Sequence, residues 1–199
     1  MRAEASEPSI RGSYLTPSKA WIRKTYGDDL WQKALMTLPA EQQAAFGGEL
    51  VSLAWYPLKH WATLLDSVRA GVLERTGENA ATFDRRHVYE SIGGAMETVY
   101  RIAFSLLSAT TVVAKVTPYF KRVYSHGEYQ VLENKPGRCL IRFSDAPVEM
   151  LSELERSFPL ATRWMLETAG QRVIEHHLAS NVTGRLFSCD LHLSYEPKK

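Results

Sequence analysis

Residues 186–195 read Leu-Phe-Ser-Cys-Asp-Leu-His-Leu-Ser-Tyr. Phe187, Cys189, Leu191, Leu193 and Tyr195 alternate without a break with Ser188, Asp190, His192 and Ser194. A period of two sends the first set to one face of a β-strand and the second to the other. The segment therefore predicts a sheet with one buried and one wet face. Working backwards, residues 172–178 supply a partner strand across the turn at 180–184. Residues 138–144 repeat the alternation, with Cys139, Ile141 and Phe143 sharing a face. Asn134-Lys135-Pro136-Gly137 separates them from residues 128–133, and a Pro-Gly turn between β-prone runs reads as a hairpin. Between the two hairpins, Ser157 and Pro159 are expected to start a helix holding Leu160, Trp164 and Met165, with Gly170 just past its end.

Upstream of about Ser125 the apolar spacing becomes helical. Thr16 is expected to cap a first helix with Pro17 in its first turn. Gly27 stops it, and Asp28 or Asp29 caps the next, which carries Leu30, Trp31, Ala34 and Leu35. Pro39 opens a short helix that Gly47 and Gly48 close. Pro57 opens a longer one, ended by Gly77, whose Leu58, Trp61, Leu64, Leu65, Val68, Val72 and Leu73 make one apolar face. A polar helical stretch runs from Phe83 to Ile92, broken at Gly93-Gly94. Met96, Val99, Tyr100, Ala103, Phe104 and Leu107 then form the clearest apolar stripe. Thr110 or Thr111 caps a further helix with Val112, Val113, Val116, Phe120 and Val123, in which Pro118 is expected to place a kink or shift the helix start. The expected fold class is α+β: a helical N-terminal part packed on a small, mostly antiparallel sheet of two hairpins. Residues 1–9 read as a flexible tail and residues 10–199 as a single domain.

The 199 residues carry 24 Lys+Arg against 22 Asp+Glu, a net charge of +2 that calls for no polyanion partner. Two cysteines make neither a disulfide framework nor a four-thiolate metal site. No apolar run reaches the length of a membrane span, so cytoplasmic placement is expected. Gly-rich phosphate loops, nucleophile elbows and zinc-protease motifs are absent from the sequence. His176 and His177 point to opposite faces of one strand and, even with His192, offer no third metal ligand. His87, in Arg85-Arg86-His87, reads as an exposed helix residue, and Cys139 and Cys189 as buried, inert thiols. Lys115, Lys121, Arg122, Lys135, Arg138 and Arg142, interleaved with Tyr119, Phe120, Tyr124 and Tyr129, could touch nucleic acid. Their core spacing favours a solvated basic rim instead.

Aromatic residues give the remaining signal. Trp55, Tyr56 and Trp61 cluster around Pro57, and Tyr100 and Phe104 mark the strongest helix. These five are the candidate ligand-binding residues. They line an apolar pocket for a small molecule or simply fill the core.

The order of short motifs resembles a known group. Arg11-Gly12-Ser13-Tyr14 is followed by Tyr26-Gly27, Leu38-Pro39-Ala40-Glu41, Trp55-Tyr56-Pro57-Leu58 and Val99-Tyr100-Arg101. The turn Tyr124-Ser125-His126-Gly127 and the spaced Gly170, Gly184 and Cys189 complete the series. Together they resemble a bacterial paralogous family of unknown function, first noticed in myxobacteria. That family is similar to the ligand-binding superfamily of NO signalling and Golgi transport, which joins haem-NO-binding domains, four-vinyl-reductase-like domains and transport-particle subunits. The resemblance implies a sensor or adaptor, commonly a homodimer, with a hydrophobic pocket and a signalling partner, and no catalysis. Haem-binding members hold porphyrin with a proximal His and a Tyr-x-Ser-x-Arg motif that does not occur in this sequence, so no cofactor is expected. The leading expectation is a non-catalytic ligand-binding or protein-interaction domain. A haem- or other cofactor-binding gas sensor is its alternative, and an enzyme with a dispersed site a weaker one.

Overall fold

The computed structural model describes residues 7–92 and 106–197, and the chain divides into two compact units at Ala95/Met96. The α+β class is observed. The Met96–Leu107 stripe, with Tyr100 and Phe104, and the Gly93-Gly94 break lie outside the described residues, save Leu107.

The first unit is helical. Strand β1 (Ser9–Arg11) pairs antiparallel with β2 (Trp55–Pro57), and its first residue, Ser9, belongs to the segment read as a tail. From β1 the chain enters α1 (Gly12–Tyr26), and from β2 it enters α4 (Leu58–Thr76). Between them lie α2 (Asp28–Leu35) and α3 (Ala40–Gly47). Helix α5 (Ala80–Arg86) continues into a π-helical turn, His87–Ile92. Gly27 and Gly77 end α1 and α4 with φ of 99° and 73°, and Pro39 and Pro57 stand before α3 and α4.

Three expectations are corrected here. Helix α1 starts at Gly12, four residues before Thr16, and Pro17 sits inside it. Gly12 must be small, because an added Cβ would stand 2.2 Å from the Val51 carbonyl oxygen. Gly27 precedes α2, which has no side-chain cap from Asp28 or Asp29. Leu73, expected on the apolar face of α4, is 54% exposed.

One buried cation ties α3 to α1. Lys19 Nζ donates to the Phe46, Gly47 and Gly48 carbonyl oxygens at 2.9, 2.8 and 2.6 Å. These belong to the unbonded carbonyls at the α3 C-terminus, where the helix dipole also favours positive charge.

The second unit holds the sheet. Helix α6 (Ala109–Val123) is capped by Ser108, whose hydroxyl accepts from the Thr111 N–H, rather than by Thr110 or Thr111. Strands β3 (Glu128–Lys135) and β4 (Arg138–Pro147) form the first hairpin around Pro136-Gly137. Helix α7 (Leu151–Thr168) begins before Ser157 and contains both Ser157 and Pro159, a further correction. Strands β5 (Gln171–Thr183) and β6 (Leu186–Pro197) form the second hairpin, longer than expected. The order β3-β4-β6-β5 is antiparallel throughout.

The alternation in β6 is observed as read: Phe187, Cys189, Leu191, Leu193 and Tyr195 are buried. On the same face Phe120 stacks on Tyr129 at 4.6 Å, Tyr129 lies 4.3 Å from Phe143, and Phe158 meets Phe120 edge-on at 5.3 Å. Gly127 fits under this cluster with φ of 89°, and an added Cβ would stand 2.0 Å from the Phe143 ring.

Replacing Lys19 with Met keeps the apolar stem but strands three carbonyls. Chemical denaturation is expected to show a loss of about 2–3 kcal/mol, and an unchanged midpoint would contradict the anchoring role. Gly127→Ala adds backbone strain to a ring clash and is expected to cost at least about 2 kcal/mol, checked the same way.

Candidate functional site

Of the five aromatic candidates, the structure describes three. Trp55 is 40% exposed, with the Arg11 guanidinium stacked 3.8 Å from its ring centroid. Tyr56 is buried, and its hydroxyl accepts from the Val51 N–H at 2.9 Å. Trp61 is fully buried and stacks on Phe46, which also touches Tyr56. Phe46 thus links Tyr56 to Trp61, while Trp55 stands at the surface.

The centre of the first unit is a residue expected to be exposed. His87 is 2% exposed. Its imidazole lies 5.7 Å from Trp21, 5.8 Å from Phe83 in a stacked arrangement, and 6.4 Å from Trp61. Its Nε2 has no hydrogen-bond partner among the described residues. Burial, helped by the nearby Arg69 cation, pushes its pKa down to about 3. The ring is therefore neutral at any physiological pH. The signal for this was present: Phe83 and His87 are one helical turn apart and share a face. The charged pair Arg85-Arg86 concealed it.

Two charged networks frame this imidazole. Arg69 and Asp84, both almost fully buried, pair at 2.7 Å, and Arg69 also meets Asp66 at 2.7 Å. Nearer the surface, Arg86 donates to Glu78, Glu90 and the Tyr26 hydroxyl, and Tyr26 and Trp21 donate to Glu78 and Glu90. The guanidinium of Arg86 holds Glu90 below the usual carboxylate range, and burial raises Tyr26 well above the ordinary phenol. Beside this network Ala81, Thr82, Arg85, Arg86, Tyr89 and Glu90 line an open groove of about 520 Å³.

In the second unit the polar atoms sit among aromatic rings. The Tyr129 hydroxyl is buried with no hydrogen-bond partner among the described residues, and Tyr124 shares a 3.2 Å hydrogen bond with Ser157. Burial pushes both phenols far up, so both stay neutral. Burial also raises Cys139 and Cys189 to about 12, the inert state expected of them. Lys121, Lys135, Arg138 and Arg142 are engaged by Glu128, Glu133, Glu133 and Asp190. The basic stretch is thus largely paired, and Phe120, Tyr124 and Tyr129 are core. His177 and His192 face each other across β5 and β6, their ring centroids 6.3 Å apart. Among the described residues no group of three or more His, Cys, Asp or Glu side chains is placed to hold a metal, and no helix is long and apolar enough to cross a membrane.

The fold is similar to that of H-NOX domains. The chain aligns with a Cs H-NOX variant carrying 4-cyano-L-phenylalanine at a TM-score of 0.66 and 10% identity, covering 94% of this chain and 98% of that one. An unliganded Fe(II) H-NOX protein from K. algicida gives 0.64 and 10%, covering 93% and 97%. An oxygen-binding H-NOX domain related to soluble guanylate cyclases gives 0.64 and 10%, covering 94% and 96%. The superfamily resemblance read from the sequence is thus matched in fold. No protein-family model matches the chain, and no curated protein matches it.

A neutral buried imidazole makes stability depend on pH with a definite sign. The unfolded chain takes up a proton near pH 6.5, the folded state only near pH 3, so stability falls as pH drops below about 6.5. The slope from this group approaches about 1.4 kcal/mol per pH unit. His87→Phe is expected to flatten the dependence between about pH 6 and 5, above the carboxylate range, as read by urea denaturation. An equal slope in both proteins would show that His87 titrates normally.

Proposed function

We propose that the chain is a non-catalytic sensor domain that takes a small ligand and relays its presence to a signalling partner in the cytoplasm. The observation that carries this is the end-to-end likeness to H-NOX domains, which covers 94% of this chain and 98% of the Cs protein. It leans towards the gas-sensor alternative rather than a plain adaptor. Membership of the myxobacterial-type paralogous family is part of the same proposal and rests on the sequence motifs.

Haem itself does not fit the donor set. His87 has the neutral nitrogen an iron ligand needs, but its ring is 2% exposed and packed among Trp21, Phe83 and Trp61 at 5.7 to 6.4 Å. The sequence holds no histidine between His87 and His126, and Ser125 engages His126. The strand leaving the Tyr124–Gly127 turn reads Tyr129-Gln130-Val131-Leu132-Glu133, with valine and a carboxylate in place of the serine and arginine of a Tyr-x-Ser-x-Arg run. Lys135 and Arg138 hold Glu133 below the usual carboxylate range, so it remains an anion and offers a haem propionate no hydrogen-bond donor. The ligand we propose is therefore a small apolar or weakly polar molecule other than haem.

Native mass spectrometry and absorption spectra of protein from haem-replete cells test this reading. The expected result is no stoichiometric Soret band, with a retained small-molecule mass or a melting temperature raised by apolar ligands through mass action. A stoichiometric Soret band would overturn the haem-free part of the proposal. Neither retained mass nor any thermal shift would overturn the ligand-sensing part.

A further inference from the structure

The two edges of the four-stranded sheet are unlike. Edge β3 is short, breaks register between Val131 and Glu133, and carries the Glu133–Lys135–Arg138 charge cluster. These are the usual means of blunting an edge. Edge β5 is 13 residues long. Its one register break lies between Val173 and Glu175, and from Glu175 to Thr183 it runs regularly against β6. That regular run has no proline and, after Glu175, no lysine, arginine or acidic residue. Apart from the half-buried Leu178 it is exposed, and Val182 is 49% exposed although it lies on the face that β6 buries through Phe187.

We infer that the β5 edge pairs antiparallel with β5 of a second copy of this chain, joining two four-stranded sheets into one continuous sheet. The regular run centres on Ala179, a small residue that lets two backbones meet about a two-fold axis. With Ala179 opposite its own counterpart, His176 faces Val182, His177 faces Asn181, Leu178 faces Ser180 and Glu175 faces Thr183. Each pair joins residues of the same face, as a two-fold axis normal to the sheet requires. The strand's charged groups, Arg172 and Glu175, lie at one end, so antiparallel pairing keeps like charges apart. An unrelated extended peptide could use the same edge, but a second copy supplies a strand of matching length whose charges avoid their own counterparts. The inference stands apart from the sensor reading, because it uses neither the ligand nor the first unit.

The test is the oligomeric state of the full chain by analytical ultracentrifugation, with three variants. The protein is expected to dimerise in the micromolar range. Ala179→Lys sets two ammonium groups opposite each other at the two-fold and is expected to weaken the dimer at least tenfold with an unchanged circular dichroism spectrum. Ala179→Cys is expected to give a reducible cross-linked dimer under mild oxidation, since Cys139 and Cys189 are buried. Leu53→Lys, on an exposed loop of the first unit, is expected to leave the dimer unchanged. A monomer at high micromolar concentration would overturn the inference. So would a dimer insensitive to Ala179→Lys, or one lost in Leu53→Lys, which would place the interface on the helical unit. Capture of an extended peptide by a monomeric chain would assign the edge to another partner.

Discussion

Arg69 sets the terms for the helical unit. It is a cation 9% exposed, and a charge that deep requires an anion beside it. Asp84 supplies that anion from α5, and Asp66 adds a second from the helix that carries Arg69. The pair fixes α5 against α4 at one point. That point brings Phe83 beneath the guanidinium and carries His87 one turn further into the aromatic cluster. Burial, with Arg69 positive nearby, keeps the imidazole neutral. The surface network of Arg86, Glu78, Glu90, Tyr26 and Trp21 then closes the outer side. Removing Arg69 would leave the Asp84 carboxylate buried without that cation, a change that typically costs about 3–5 kcal/mol.

Much of the fold was legible in the sequence because it depends on backbone rules. Gly27, Gly77 and Pro136-Gly137 stand where helices end and a hairpin turns, and each is a residue whose conformational range suits that place. The strict alternation in β6 survives because one face is fully packed. The errors share a cause. Thr16 and Ser157 suggest helix starts because short hydroxyl side chains favour caps. In the structure they bond back one turn inside their helices, to the Gly12 and Glu153 carbonyl oxygens, as Ser18, Thr162 and Thr168 also do. A mid-helix hydroxyl of this kind cannot be told from a cap by residue type alone. Prolines misled in the same way, since Pro17 and Pro159 lie within helices.

The site was less legible than the fold, for a different reason. Aromatic residues announce buried volume but not whether that volume is filled by the protein. Trp61 and Tyr56 contribute to the core of the helical unit, and Trp55 remains half in solvent under Arg11. His87 was hidden because its immediate neighbours, Arg85 and Arg86, suggest a wet helix face. Only the four-residue spacing from Phe83 points inward. Burial of an imidazole is a tertiary fact, decided here by Trp21 and Trp61 from two other helices.

The likeness to H-NOX domains and the mismatch to haem are compatible once fold and chemistry are separated. A fold preserves the order and packing of elements, while a ligand is held by a few side chains that can change without disturbing them. Phe120, Tyr129, Phe143 and Phe158 close the inner face of the sheet with rings at 4.3 to 5.5 Å, a solid aromatic packing. Val131 and Glu133 belong to the same strand as Tyr129, so a change of chemistry there leaves the hairpin intact. In each unit the buried polar group, His87 in the first and Tyr129 in the second, is neutral and suits neutral surroundings better than a charged neighbour.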